Sequence, residues 1–136
     1  MPEPMDIYSS SGTLAALTVT SLAESLRWYR DALGFEVVST LPGSDGLPVR
    51  ARLRWAPNAE IVLLEQDPAV RLEGERGIGF SVTFWAAGRG VEPIAEQALA
   101  HGADIVGEPR DQPWGLREIT IYDPDCYRLV FAEPLA

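Results

Sequence analysis

Apolar residues in the first half of the chain recur at helical spacing, between stretches that alternate in polarity as strands do. The helical positions share an apolar side chain and lie three or four residues apart: Leu22, Leu26, Tyr29 and Leu33. Ser21 followed by Glu24 is a capping-box signal for the start of this helix, and Gly34 ends it. Strands are predicted at residues 13–20, from Phe35 onward, at 49–55 and at 60–66. The pattern therefore predicts a strand, a helix and three further strands.

The second half of the chain repeats this order. Val91 to Ala100 is predicted to be a helix, with Pro93 in its first turn and Gly102 near its end. The predicted strands are residues 79–86, 103–108, 117–123 and 127–133. Equivalent positions in the two halves are 68 residues apart, as in Gly34 and Gly102, Val62 and Val130, and Glu65 and Glu133.

We therefore predict an α+β fold made of two tandem βαβββ units. The segment between them is charged and contains proline and glycine, which is typical of a linker. The predicted organisation is an N-terminal tail at 1–12, unit one at 13–66, a linker at 67–78 and unit two at 79–136.

Composition narrows the class of partner. The chain has 20 acidic residues against 11 basic ones, all of them arginine, so its formal charge is −9. Such a surface repels polyanions, so nucleic acid is excluded as a partner and a neutral or cationic ligand is favoured. Cys126 is the single cysteine, so no intramolecular disulfide forms. Because neither a signal peptide nor a membrane-spanning stretch is evident, we expect a cytoplasmic protein with no membrane partner.

The end of the chain resembles a known superfamily. Residues 111–134 read DQPWGLREITIYDPDCYRLVFAEP, in which PWG, RE and DPD follow one another closely. This stretch is similar to the C-terminal unit of the glyoxalase, bleomycin-resistance and extradiol-dioxygenase (vicinal oxygen chelate) superfamily. The resemblance covers residues 13–134 and implies a cupped mixed sheet with the helices outside. We also expect a homodimer. In this superfamily the two units that enclose a cavity come either from one chain or, in a domain-swapped dimer, from both chains.

The residues that match the superfamily's metal positions cannot bind a metal. The resemblance places these positions at Leu14, Val62, Gly79 or Phe80, and Val130. Divalent ions need imidazole, thiolate or carboxylate donors. The one histidine, His101, lies at the predicted end of the second helix, where it complements the last carbonyl groups. We therefore expect no metal and no cofactor, as in the bleomycin-resistance-like branch.

The residues left to bind a ligand are aromatic residues and arginines. Trp114 and Gly115 lie in a Pro-Trp-Gly turn, which we expect to hold the indole over the cavity, and in bleomycin-binding relatives the matching tryptophan lies along the ligand groove. In strand 49–55 either Arg52 and Arg54 line the cavity with Arg50, or Trp55 does. Leu14, Val62 and Val130 would supply apolar lining. Four other aromatic residues are expected to pack in the core: Trp28, Tyr29, Phe84 and Trp85.

The resulting hypothesis is a non-catalytic protein that sequesters a planar, cationic antibiotic or related natural product. Ser-His and Cys-His nucleophile pairs are not indicated, and Cys126 is expected to be structural, in a turn where relatives carry glycine. Two alternatives stay open. One is a lyase, isomerase or dioxygenase of the same superfamily with displaced metal ligands, and the other is a scaffold protein whose cavity is filled.

Overall fold

The computed structural model describes residues 7–8, 12–69, 74, 76–86 and 88–135, and each half of the chain carries a helix and a sheet. In the first half the elements are β1 (Ala15–Val19), α1 (Leu22–Leu33), β2 (Glu36–Pro42), β3 (Pro48–Ala56) and β4 (Ala59–Glu65). In the second half they are β5 (Ser81–Trp85), α2 (Val91–Ala100), β6 (Asp104–Ile105), β7 (Arg110–Asp111), β8 (Leu116–Tyr122) and β9 (Arg128–Pro134). The predicted α+β class and the βαβββ order are thus confirmed. In the second unit, however, the predicted strand 103–108 is only two residues long and is followed by the unpredicted β7.

The chain divides into two units, one of residues 1–30 and 34–74 and the other of residues 31–33 and 75–136. Most of the predicted tail, residues 1–6 and 9–11, lies outside the described residues, as do residues 70–73 and 75 of the predicted linker. Ile7, within the predicted tail, is fully buried.

Helix α1 begins and ends at the residues that the sequence marks. The Ser21 side chain accepts a hydrogen bond from the Glu24 backbone N–H at 3.3 Å, which satisfies one free donor of the first turn. At the other end Gly34 adopts the left-handed conformation, with φ 78°. The backbone N–H groups of Gly34 and Phe35 then bond to the carbonyls of Arg30 at 3.1 Å and Tyr29 at 3.0 Å, so the left-handed glycine satisfies two carbonyls of the last turn.

The sheet of unit one has the strand order β1-β4-β3-β2, with β1 and β4 parallel and the remaining pairs antiparallel. Side chains alternate between two faces. One face is apolar and buried, and we call it the covered face of unit one; it includes Leu17, Val19, Ala51, Leu53, Trp55, Ile61 and Leu63. The opposite, open face carries Arg50, Arg52 and Arg54, which pair in register with Leu64, Val62 and Glu60. The structure thereby decides the alternative left open by the sequence, because it places Trp55 in the core and the arginines on the open face.

The sheet of unit two has the order β5-β9-β8-β6, and β7 pairs with the same strand β8. Helix α2 packs against β6, β8 and β9. The covered face of unit two is lined by Phe84, Ile119, Ile121, Leu129 and Phe131, all at most 3% exposed. Its open face begins with the alternate positions of β5, namely Ser81, Thr83 and Trp85, all of which are exposed.

Among the described residues, no helix is long and apolar enough to cross a membrane.

Candidate functional site

A row of four side chains crosses the open face of unit two and carries the exposed aromatic surface. We call it the tryptophan row: Trp85 pairs with Ala132, Ala132 with Glu118, and Glu118 with Arg110. Trp85 is 55% exposed, whereas Ala132 is fully buried. Ala132 therefore offers a ligand no surface, and the accessible apolar surface of this row is the indole of Trp85.

Trp114 adds a second exposed indole beside this row. It is 63% exposed, and its Nε1–H donates a 2.9 Å hydrogen bond to Oε2 of Glu118. The bond leaves the ring face of Trp114 free while fixing the orientation of its edge. A carboxylate is thus held next to an exposed indole, which is an arrangement suited to a planar cation.

The turn that carries Trp114 is fixed by backbone hydrogen bonds. Gly115 donates its N–H to the Gln112 carbonyl at 3.1 Å, and the Gln112 N–H bonds to the Leu116 carbonyl at 2.7 Å. Gly115 has φ 88°, a conformation that side-chain-bearing residues rarely adopt. Gly115 therefore allows the tight turn that positions Trp114.

On the open face of unit one the arginines are held by a carboxylate. Arg52 Nε lies 2.7 Å from Glu60 Oε1, and Arg54 Nε lies 3.5 Å from Glu60 Oε2. Burial of Glu60 acts to raise its pKa, but the hydrogen bond from Arg52 and the charges of both arginines outweigh it, so the pKa lies below its ordinary value. Arg52 is only 9% exposed, whereas the Arg54 side chain is 44% exposed. Of this pair, only Arg54 presents much surface to a ligand.

Arg50, the third arginine of this face, contacts the N-terminal segment. Its Nη1 lies 2.5 Å from the hydroxyl oxygen of Tyr8, and its guanidinium carbon lies 5.7 Å from the centre of the Tyr8 ring. A surface pocket of about 600 Å³ adjoins Arg50 and is also lined by Thr18, Leu64 and Asp67. Trp85 and Trp114 do not line this pocket.

The positions that resemble the superfamily's metal sites carry hydrocarbon side chains in the structure. Val62 lies on the open face of unit one beside Ala16, and Val130 lies on that of unit two beside Thr83. Val62 is fully buried and Val130 is 6% exposed, so neither offers much surface to a ligand. Leu14 directly precedes β1 and is half-buried, and Phe80 is 47% exposed. A divalent ion does not fit these donor-free positions.

The carboxylates three positions beyond Val62 and Val130, namely Glu65 and Glu133, bond to the N-termini of the helices, while Glu60, two positions before Val62, is paired with Arg52. Glu65 accepts a hydrogen bond from the Leu22 N–H at 3.1 Å, and Glu133 accepts one from the Val91 N–H at 3.4 Å. Within the ranges that the structure describes, three or more His, Cys, Asp or Glu side chains are nowhere grouped so that they could hold a metal. His101 is the residue that ends α2, and its Nδ1 lies 3.0 Å from the Gln97 carbonyl oxygen.

Two tryptophans lie elsewhere than the sequence analysis placed them. Trp55, a candidate for ligand binding, is 5% exposed on the covered face, because its strand turns the apolar side toward the core. Trp85, expected in the core, is exposed on the open face. The alternation of β5 carried this information: Phe84 packs on the covered face, so its neighbour must point the other way.

The family model of the Glyoxalase/Bleomycin resistance protein/Dioxygenase superfamily matches residues 13–131. A comparison with curated proteins found no match. Among solved structures, TioX from Micromonospora sp. ML1 is similar, with a TM-score of 0.71 and 22% identity over 93% of this chain and 98% of that one.

Two further solved structures resemble the chain. A glyoxalase/bleomycin resistance protein/dioxygenase from Nocardioides has a TM-score of 0.66 and 22% identity over 93% of this chain and 86% of its own. The fosfomycin resistance protein FosX from Mesorhizobium loti has a TM-score of 0.61 and 16% identity over 92% of this chain and 93% of its own. At these identities the likeness establishes the shared fold.

Proposed function

The chain belongs to the Glyoxalase/Bleomycin resistance protein/Dioxygenase superfamily, and we propose that it is a metal-free, non-catalytic member that binds a planar, cationic small molecule by stacking. The observation that carries this proposal is the exposed indole of Trp114, which is bonded to the Glu118 carboxylate, together with the exposed indole of Trp85 two strands away in the same row. The proposed role is sequestration of the ligand in the cytoplasm.

The indoles supply the affinity in this proposal. Trp114 and Trp85 are among the most exposed large apolar side chains of the described residues, and indoles pack well against flat conjugated rings. Stacking of a flat ring on an aromatic side chain contributes about 1–3 kcal/mol in single-stranded nucleic-acid complexes. Stacking on Trp114 would contribute a similar free energy to the binding of a planar ligand.

The charge around the indoles sets the preferred sign of the ligand. Glu118 is bonded to the Trp114 Nε1–H, whereas Arg110, which pairs with Glu118 from the neighbouring strand, makes no such bond to the indole. The chain as a whole carries −9, so the long-range field also attracts cations. A planar cation is therefore favoured over a planar anion of the same size.

A metal-free mode of action is supported by the chemistry of the available side chains. The positions matching the superfamily's ligands carry Leu14, Val62, Phe80 and Val130. Of the carboxylates near them in sequence, Glu65 and Glu133 bond to helix N-termini and Glu60 is paired with Arg52. An antibiotic is a natural ligand class to test, since the family's name includes bleomycin resistance. Pairing of two chains is part of the proposal, because the sheet orders leave β1, β2 and β5 as edge strands.

Calorimetric titration with two flat tricyclic probes tests the proposal. Proflavine carries a positive charge at neutral pH and 9-anthracenecarboxylate a negative one. We expect the purified protein to bind proflavine more tightly, by about 1.5- to fivefold, the range of an exposed ion pair. Glu118→Gln should reduce that preference, while Glu96→Gln, at an exposed position of α2, should leave it unchanged.

A chelator separates this proposal from the metal-dependent alternative. Addition of EDTA should leave proflavine binding unchanged, because no donor set takes part. Failure to bind either probe, or equal binding of both by the wild-type protein, would refute the proposal.

A further inference from the structure

The other end of the same sheet face holds a pocket of about 560 Å³. Four of its lining residues form one cross-strand row: Ser81 pairs with Arg128, Arg128 with Tyr122, and Tyr122 with Asp104. We call this the charged row. It lies four residues along β5 and β9 from the tryptophan row, a distance of about 13 Å.

The charged row presents two opposite charges that do not neutralise each other. Arg128 and Asp104 both line the pocket and are both exposed. Among the residues that the structure describes, neither side chain has a hydrogen-bond or ion-pair partner, although the two strands lie only about 10 Å apart across β8. Tyr122 fills the position between them. A guanidinium donor and a carboxylate acceptor thus face the same space with their bonding capacity unused.

The third charge of the pocket is already neutralised. Arg76 forms an ion pair with Asp125, whose side chain is 7% exposed. The pocket therefore keeps one positive and one negative group for a ligand, so its chemistry differs from that of a general anion or cation site.

An apolar wall adjoins the charged row. Ile78 is 75% exposed and Phe80 is 47% exposed, and both line the pocket. They lie in a turn that is closed by a 3.1 Å hydrogen bond from the Phe80 N–H to the Gly77 carbonyl. A Cβ atom at Gly77 would lie 3.0 Å from Cδ1 of Tyr127, so this turn packs closely against the β8–β9 hairpin. The Arg76–Asp125 ion pair also joins this turn to the β8–β9 hairpin.

We propose that this pocket binds a small zwitterion with an apolar or aromatic group, the class to which the hydrophobic α-amino acids belong. Its carboxylate bonds to Arg128, its ammonium group bonds to Asp104, and its side chain contacts Ile78 and Phe80. Arginine suits a carboxylate because its donors match the two oxygens in a planar fork. This site does not depend on the stacking function, since it shares no side chain with the tryptophan row.

Three probes that differ by one charged group test the proposal. L-Phenylalanine carries both charges, 3-phenylpropionate lacks the ammonium group, and 2-phenylethylamine lacks the carboxylate. Titrations followed by the backbone amide signals of Tyr122 and Arg128 should show L-phenylalanine binding more tightly than either analogue. The expected advantage is about 1.5- to fivefold for each group, because both partners are exposed.

Two substitutions should remove the two halves of this preference separately. With Arg128→Gln, L-phenylalanine should bind no better than 2-phenylethylamine, and with Asp104→Asn it should bind no better than 3-phenylpropionate. Arg27→Gln and Glu96→Gln, at exposed helix positions outside the pocket, are the matched charge controls and should change nothing.

The outcomes also separate this site from the stacking site. Trp114→Ala should leave binding of L-phenylalanine unchanged, so loss of proflavine binding in that variant bears only on the proposed function. Equal affinities for the three probes, no binding of any, or unchanged selectivity in both pocket variants with well-dispersed amide spectra would overturn the proposal.

Discussion

Glu65 and Glu133 perform the same task in the two units, 68 positions apart: each carboxylate accepts a hydrogen bond from the first N–H of its own helix. These bonds join the end of β4 to the start of α1 and the end of β9 to the start of α2. Both side chains follow the alternation of the covered face, three positions beyond Val62 and Val130. The repeat that is faint in the sequence is therefore clear in the hydrogen bonds.

Glu133 should matter to stability, because the residue before α2 gives no side-chain cap and the other acidic group there, Glu92 in the first turn, acts only through the helix dipole. Gly90 precedes the helix and provides no side-chain cap, whereas α1 also has Ser21. We expect Glu133→Ala to lower the free energy of unfolding by about 0.5–1 kcal/mol, the usual value of one capping or helix-dipole interaction. Urea unfolding measures this change, and Glu96→Ala, at an exposed position within α2, is the control. Equal stability of the two variants would show that the carboxylate contributes nothing as a cap.

Glu60 should make the stability of the protein depend on pH. Its pKa is lowered from 4.5 in the folded state by Arg52 and Arg54, despite the opposing effect of burial. A lowered folded pKa means that the ionised side chain stabilises the fold above pH 4.5 and that this contribution is lost as the pH falls through the folded pKa. At pH 7 we expect Glu60→Gln to cost about 1–3 kcal/mol, since it removes the partner of a largely buried arginine.

Unfolding in urea at pH 7 and at steps from pH 5 to 3 checks this prediction. The stability difference between the wild-type protein and Glu60→Gln should shrink as the pH falls. A stability difference that stays constant with pH would show that ionisation of Glu60 does not contribute to the stability of the fold.

Cys126 occupies a conformation that favours glycine. Its φ is 68°, in the turn whose Asp123 side chain accepts hydrogen bonds from the backbone N–H groups of Asp125 and Tyr127. This conformation costs about 1–2 kcal/mol for a residue with a Cβ atom, and glycine recovers part of it at an entropic cost. We expect Cys126→Gly to leave the melting temperature unchanged or raise it, and the β-branched Cys126→Val to lower it. The reverse order in thermal unfolding would contradict the strain at this position.

Pairing of two chains is expected from the edges of the sheets. Strands β1 and β2 end the order of the first sheet, and β5 and the two-residue β6 end that of the second. Unpaired strand edges offer backbone donors and acceptors to a second chain. Sedimentation equilibrium at micromolar concentration should give twice the chain mass of 14.9 kDa. A mass of one chain would contradict the expected dimer.

Local signals were sufficient to predict most elements of the fold. Ser21, Glu24 and Gly34 predicted α1 because capping and left-handed closure depend on a few neighbouring residues. The helix Val91–Ala100 was predicted with its observed bounds. The strand at 103–108 was predicted too long because Gly107, with φ 72°, interrupts it.

The site was less predictable, because it depends on which face of each strand is covered. The alternation of the strand placed Arg52 and Trp55 on opposite faces. It did not tell which face is buried, since that depends on how the whole unit packs. The contact of Trp114 with Glu118 joins a turn to a strand. The charged row joins Arg128 to Asp104 across three strands and depends on register, which local sequence does not specify.

The most direct test of the account is a proflavine titration of the wild-type protein beside Trp114→Ala and Trp114→Phe. Loss of one stacking partner is worth about 1–3 kcal/mol, so Trp114→Ala should weaken binding by roughly five- to 150-fold. Trp114→Phe keeps a ring and should retain much of the affinity, while Leu99→Ala, another exposed apolar residue, should bind as the wild type does. Undiminished binding of proflavine by Trp114→Ala would contradict the central claim that this indole holds the ligand.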